Sequence, residues 1–484
     1  MIANAERRRV AGALGLAVLF LAAGAYHIDR PGLQADEALF AHGVWERGVV
    51  ELFTRVFGLR IALMQMPYLG AMKSILYQPI FAWLGASAAV VRLPMVLAGA
   101  GTVALTFLLL WRLRGEGAAW IGGALLAADP TFLFTTRCDW GPVALERLFA
   151  VGGVLLFAQG RLGWGAFLFG LALWNKTTFV WTLMGLAAGM MVAYRSRLRV
   201  RPAALGFALL CFAIGAYPWI RYNVRSHGGT AKVAAHFDAS DLGGKLRLLH
   251  TSLRGEALYG YLVRDRDVRP WPRATITAWL LMAAVIAAAV YRDLLALFFI
   301  TVMASAWLAM AFTDGGGASA HHVVLLWPWP HCIIALAAAR QRIFLPVAMA
   351  GVLMGAGVIV RHYALLDRFG ADPPWSDAIY PLVARVEAEQ PRGVFGTDWG
   401  ILDQTLLLTQ GAMPLEVAFR RHQPPEFFAG RRGWIFAGHV DTREAFQGVN
   451  EMWRKVPGFR RVGIAFIRDG QGFPIFELFR FERE

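Results

Sequence analysis

The sequence predicts a polytopic α-helical membrane protein of about eleven spans that ends in a small soluble α/β domain. Three observations carry that prediction. Of 484 residues, 57% are hydrophobic and only 17% charged, against about 25% charged in an ordinary soluble domain. Apolar stretches close to the ~20 residues that cross a bilayer recur up to about residue 360. The net charge of +15 comes from 43 Arg and five Lys, many of them in short runs between those stretches. That is a topology signal, not a nucleic-acid surface. The composition also excludes disorder and coiled coil. Cys138, Cys211 and Cys332 lie in or beside apolar segments and form neither a disulfide framework nor a metal cluster.

Windows of spanning length fall at 10–28, 93–111, 117–136, 142–158, 203–220, 274–290, 294–312, 319–339 and 343–360. The stretch 162–193 is broken by Trp174-Asn175-Lys176-Thr177-Thr178 and reads as two short spans, which brings the count to eleven. With the N-terminus in the cytoplasm, cations gather on the inner side at Arg7–Arg9, Arg112, Arg114, Arg161, Arg195, Arg197, Arg199, Arg201, Arg292, Arg340 and Arg342. The short outer connections hold only Arg137 and Lys176. This alternation is what eleven spans require. Long segments 29–92, 221–273 and 361–484 then lie outside. Ala23-Gly24-Ala25 resembles a signal cleavage site, but the run before it is long enough to anchor.

The chain divides near residue 365, with a membrane domain at 1–365 and an outer domain at 366–484. In the outer domain 394–396, 434–438, 462–467 and 475–481 read as strands, with a hairpin turn at Gln471-Gly472-Phe473. Residues 377–390 and 441–455 read as helices.

Residues able to do chemistry gather at the outer face. Asp36 and Glu37 follow the first span closely. They read either as a helix start, with Asp36 as cap, or as a carboxylate able to take a proton. The stretch Met66–Pro79, with Trp83 beyond it, reads as helices lying in the interface plane. Its Lys73 either snorkels to headgroups or meets a lipid phosphate, and Arg92 invites the same two readings. Arg137 and Asp139, in Arg137-Cys138-Asp139-Trp140-Gly141-Pro142, form an ion pair or serve a site. Pro142 suits the first turn of the next helix, and Glu146 and Arg147 are placed to pair across the bundle. Asn175-Lys176 makes a solvated turn or a further cationic corner. Asp314-Gly315-Gly316-Gly317 precedes His321-His322, a weak metal signal without a third ligand. Trp327-Pro328-Trp329-Pro330 should break its helix. No cytoplasmic loop has room for a nucleotide-binding motif. A sugar donor used at this face would therefore be a lipid.

Together, Ala35-Asp36-Glu37-Ala38, Pro67-Tyr68-Leu69-Gly70-Ala71-Met72-Lys73 through Pro79, Val91-Arg92-Leu93-Pro94, and Asp129-Pro130 with Arg137–Pro142 resemble the GT-C membrane glycosyltransferases. The likeness is to the protein O-mannosyltransferase and aminoarabinose (lipid A) transferase superfamily, and covers residues 1–365. It implies an inverting glycosyltransferase that takes a sugar from a polyprenyl-phosphate donor to an acceptor: lipid A, another glycolipid, a polysaccharide or a protein. It implies Asp36 as base with Glu37 orienting, and Lys73, Arg92, Arg137 and Lys176 on the donor phosphate. Asp139, His321 and His322 would contact substrate. The setting is a bacterial inner membrane, with membrane lipids as partners, no nucleic acid, and a divalent cation left open as cofactor. The alternatives are a lipid transporter or flippase, which would line a midplane path with ionisable residues, and a non-catalytic assembly subunit.

Overall fold

The computed structural model describes residues 2–195, 201–234, 236–264, 274–417, 423–454 and 456–484. Of the inner cations counted above, Arg197 and Arg199 fall outside the described residues, as does Lys455 at the end of one expected helix. The chain begins with α1 (Ile2–Ala25), α2 (Ala35–Leu39), strands β1 (Leu52–Val56), β2 (Leu59–Met66) and β3 (Leu69–Gly70), and α3 (Met72–Leu84). The bundle continues through α4 (Ala88–Arg114), α5 (Glu116–Ala127), α6 (Pro130–Cys138), α7 (Ala144–Ala158), α8 (Leu162–Asn175), α9 (Phe179–Tyr194), α10 (Pro202–Gly215) and α11 (Tyr217–Arg225). After α12 (Gly229–Ala234), α13 (Leu242–Leu253) and α14 (Tyr259–Leu262) it resumes as α15 (Thr277–Val290), α16 (Leu294–Ala311), α17 (Ala320–Val323), α18 (Trp329–Arg340) and α19 (Phe344–Phe369).

Each of the eleven apolar segments carries helix. Among the described residues five helices, α1, α4, α16, Ala320–Arg340 and α19, are long and apolar enough to cross a membrane. The bent pairs α5–α6 (57°) and α10–α11 (73°) bring that to as many as seven, and α8, α9 and α15 are apolar but shorter. The bends have local causes. Asp129 accepts the Phe132 N–H at 2.7 Å and Pro130 opens α6, so a new helix starts where α5 stops. The polar run at 175–178 separates α8 from α9. The two prolines after Trp327 confine regular helix to α18. Pro142, expected in the first turn of α7, stands two residues ahead of it. Ala144 opens that helix instead, because the Asp139 carboxylate caps it by accepting the N–H groups of Val143 and Ala144 at 2.7 and 3.0 Å.

The reading of 66–79 as helices is corrected. Residues 52–70 form a three-stranded antiparallel sheet, and only α3 is helical. Phe57 and Gly58, both at positive φ, make the two-residue turn joining β1 to β2, the geometry that right-twisted strands favour.

The tail contains α20 (Ile379–Glu389), β4 (Gly393–Gly396), α21 (Leu402–Leu408), β5 (Leu415–Val417), α22 (Pro425–Ala429), β6 (Trp434–His439), α23 (Val449–Arg454), β7 (Phe459–Arg468) and β8 (Pro474–Arg483). The sheet order is β5-β4-β6-β8-β7, with β4 parallel to β5 and β6. The expected strands and the 377–390 helix are present. The expected 441–455 helix shrinks to α23 behind a short 3₁₀ turn. Leu33, Ala38, Tyr77 and Val91 share one buried apolar cluster with Ile379, Leu382, Val394 and Leu478. The tail is thus packed directly onto the first loop.

Candidate active site

The site is built around α2. Its cap is Gln34, not Asp36. The Gln34 side-chain oxygen accepts the N–H groups of Asp36 (2.7 Å) and Glu37 (3.2 Å), and the Glu37 carboxylate answers by accepting the Gln34 N–H at 3.4 Å. This reciprocal box fixes the first turn and releases the Asp36 carboxylate from capping.

Successive residues on a helix point about 100° apart, and here the two carboxylates part company. Glu37 is fully buried and binds Arg92 with both oxygens, at 2.7 and 2.8 Å. Arg92 gives its remaining donors to the carbonyls of Ile28 (2.9 Å), Pro31 (2.6 Å) and Gly32 (3.0 Å). All five of its N–H groups are then spent, so the expectation of a phosphate contact from Arg92 is corrected to a lock between α4 and the segment leading into α2. Arg137 is corrected too, because both of its Nη groups are engaged, leaving only a buried Nε without a partner. It is fully buried and donates to the carbonyls of Gly24, Tyr26, His27 and Arg30 and to the Tyr363 hydroxyl. It does not pair with Asp139.

Asp139 pairs instead with Lys73, whose Nζ lies 3.0 Å from its carboxylate and donates to its carbonyl at 3.3 Å. Both side chains are buried. Lys176 is also buried, not a solvated corner, and donates to the Gly141 carbonyl at 2.7 Å. The corner is stitched to the first-loop sheet: the Thr177 N–H meets the Tyr68 carbonyl at 3.0 Å, and a Cβ at Gly70 would sit 2.1 Å from the Trp174 carbonyl oxygen. Glu146 and Arg147 pair with each other at 2.6 Å, and Arg147 also reaches the carbonyls of Leu325 and Trp327. That network braces the break before α18.

Asp36 keeps its carboxyl half-buried. Burial first, then the Asp403 charge, push it up to about 6, against the pull of Gln34 and Lys176. Asp403 comes from α21 of the tail and pairs with buried His42 at 2.9 Å. Burial lowers Lys176 to about 8, opposed by Glu146, Asp139 and Asp36. Burial and then the Asp36 charge raise the Tyr68 and Tyr261 phenols. Lys176, Tyr68, Tyr261 and Asp403 are thus each coupled to Asp36, although the five come from separate stretches of chain. The sequence reading missed Tyr68 as a site residue, and Tyr261 and Asp403 altogether. A tyrosine between Pro67 and Leu69 was the one available signal.

His321 and His322 pack at 4.3 Å between ring centres, with His321 against Trp140 and His322 against Trp181. Gly141 permits this, since a Cβ there would come within 2.3 Å of the His321 ring. A cleft of roughly 240 Å³ opens alongside, lined by Tyr68, Thr177, Thr178, Trp181, Asp314 and His322. Among the described residues no three His, Cys, Asp or Glu side chains gather where a metal could be held.

A bundle of apolar helices, a structured first loop that presents a carboxylate, and a terminal α/β domain together define a membrane protein of the GT-C fold. No family model and no curated protein sequence matches the chain. In fold it is similar to a crystal structure of ArnT from Cupriavidus metallidurans bound to undecaprenyl phosphate. The TM-score is 0.61 at 11% identity, over 96% of this chain and 97% of that one. The apo structure of the same protein gives 0.58 at 12% identity, over 95% and 96%. The likeness runs through the tail as well as the bundle, further than the sequence resemblance reached.

Proposed function

We propose that the chain is an inverting glycosyltransferase that moves a sugar from a polyprenyl-phosphate donor to an acceptor hydroxyl at the outer face of a bacterial inner membrane. The observation that carries the reading is the placement of Asp36 in the first turn of α2, half-buried, with its carboxyl free of the capping box and pushed up to about 6, and with buried Lys176, lowered to about 8, opposing that rise. At neutral pH the first is mostly a base and the second mostly a cation, which are the two forms this reaction needs. The fold shared with a protein crystallised on undecaprenyl phosphate supports the lipid donor.

In this reading Asp36 takes the acceptor proton as the hydroxyl oxygen attacks the anomeric carbon. The bond from that carbon to the phosphate oxygen breaks, and the lipid phosphate leaves as an anion. Lys176 meets that charge, joined by Lys73 if the donor draws it from Asp139. Glu37 and Arg92 hold α2 in place and do not touch substrate. His322 and Tyr68 border the cleft where the sugar would lie, with His321 packed behind His322. Residues 1–365 would form the catalytic membrane domain, with a cytoplasmic N-terminus, and 366–484 a periplasmic domain that supplies Asp403.

Mass spectrometry of lipid A, glycolipids, polysaccharides and secreted proteins, with and without the gene, tests the function. The expected result is one product class lighter by a single sugar in the deletion strain. Identical spectra in all four classes would contradict the proposal.

A further inference from the structure

The tail has a second cleft, of roughly 500 Å³, that the transfer reaction does not use. Its place follows from the sheet. From β4 the chain passes through α21 to β5 on one flank, then crosses to β6 on the other, with all three strands parallel. In open α/β sheets a ligand crevice forms beyond the carboxyl ends of the strands where such a reversal occurs. Here β4 runs out into Asp398-Trp399-Gly400 and β6 ends at His439. Trp399, Gly400 and His439 all border the cleft.

Its lining is mixed in charge, with Arg264 and Arg443 beside Asp372 and Glu444, and it is incompletely satisfied. Arg443 makes no side-chain ion pair or hydrogen bond among the described residues. Arg264 gives Nη2 to Asp469 and lies 4.6 Å from the Phe473 ring centre, but its Nε and Nη1 are buried without a partner. Buried guanidinium nitrogens in that state call for an acceptor. The buried His439 donates its Nδ1 proton to Asp398 at 2.9 Å, which leaves Nε2 for the cleft. Asp398 is itself fixed by the N–H groups of Trp399 (2.8 Å), Ala445 (2.7 Å) and Phe446 (3.2 Å). The neighbouring Glu444 does not neutralise the arginines through its own bonds, since its oxygens cap Gly448 (2.7 Å) and Asn450 (2.6 Å). Trp399 adds an aromatic surface, and Asp372 and Thr442 add acceptors.

We propose that this cleft binds an anionic saccharide unit, a sugar bearing a phosphate or a carboxylate. Arg264 and Arg443 take the charge, Trp399 the C–H face of the ring, and Thr442 and Asp372 the hydroxyls. The wall at Pro373-Pro374 leads into Trp375, which packs on Trp140 (5.2 Å) and Tyr261 (5.6 Å). A saccharide held there sits behind the wall of the Asp36 site. The tail's own geometry carries this proposal, which stands whether or not Asp36 performs transfer.

Calorimetric titration of the full chain in lipid nanodiscs tests it, with glucose 1-phosphate, glucuronate, glucose and inorganic phosphate as probes. The expected result is saturable binding of one or both anionic sugars, at least about tenfold tighter than of glucose or phosphate alone, because charge-assisted contacts add to the ring contacts. R443Q and R264Q should each weaken it by about tenfold, and D36N should leave it unchanged. R443Q, on a half-buried loop residue with no partner to orphan, keeps the test valid should R264Q fail to fold. Absence of saturable binding by both anionic sugars would overturn the proposal. So would phosphate binding as tightly as glucose 1-phosphate, affinity unchanged in R443Q, or loss of binding in D36N.

Discussion

The two sides of α2 carry the same chemistry to opposite ends. On one side Glu37 meets an arginine whose every donor is used, with both partners fully buried. On the other, Asp36 shares a half-dry space with a second acid and with a lysine that donates to a single carbonyl. A saturated pair has nothing left to offer a ligand; it holds backbone in place. An under-satisfied acid and cation have their protonation forms in balance near neutrality, and that balance is what perturbed groups at working sites show. Adjacent carboxylates in a sequence are therefore not a catalytic pair by adjacency. Their partners divide the roles.

The comparison breaks most visibly at Arg92. Arg92→Ala leaves Glu37 buried and unpaired, a loss of about 3–5 kcal/mol. The variant should be poorly expressed or melt well below the parent in detergent. A melting temperature equal to that of the parent would remove the lock.

A smaller effect is expected at Lys176. Lys176→Met should weaken use of the lipid donor by tenfold or more, about the 1.5–3 kcal/mol of a charge-assisted contact, with melting little changed. The readout is the KM for the polyprenyl-phosphate sugar. The parent should show a bell-shaped pH profile. Activity rises as Asp36 loses its proton through about 6 and falls as Lys176 loses its own through about 8. In Lys176→Met the alkaline limb should vanish.

The finest test concerns the tail. The Asp403 charge raises Asp36, so Asp403→Asn, which keeps a hydrogen-bonding side chain beside His42, should move the acid limb to lower pH by a fraction of a unit. An unmoved limb would mean that the tail does not tune the base.

The helices were legible because a bilayer imposes length and apolarity on contiguous sequence. The position of Asp36 at the end of the first apolar run was equally plain. What could not be read was pairing. Lys73 and Asp139 lie 66 positions apart, Glu37 and Arg92 lie 55 apart, and His42 and Asp403 lie 361 apart. Nothing local tells Arg92, spent on carbonyls, from Lys176, which keeps capacity to spare. The β1–β3 sheet was hidden for another reason. Its turn uses Phe57 at positive φ, where Asn or Asp would have announced a hairpin, and its strands run straight into the apolar start of α3.

The most direct test of the base assignment is transfer by the purified protein in liposomes loaded with polyprenyl-phosphate sugar, once the product class is known, comparing the parent with Asp36→Asn. The amide keeps the shape of the side chain but cannot take a proton. Transfer should fall by about 10²–10⁴-fold, with melting and donor binding retained. Transfer within a few-fold of the parent would contradict the assignment of Asp36 as the base.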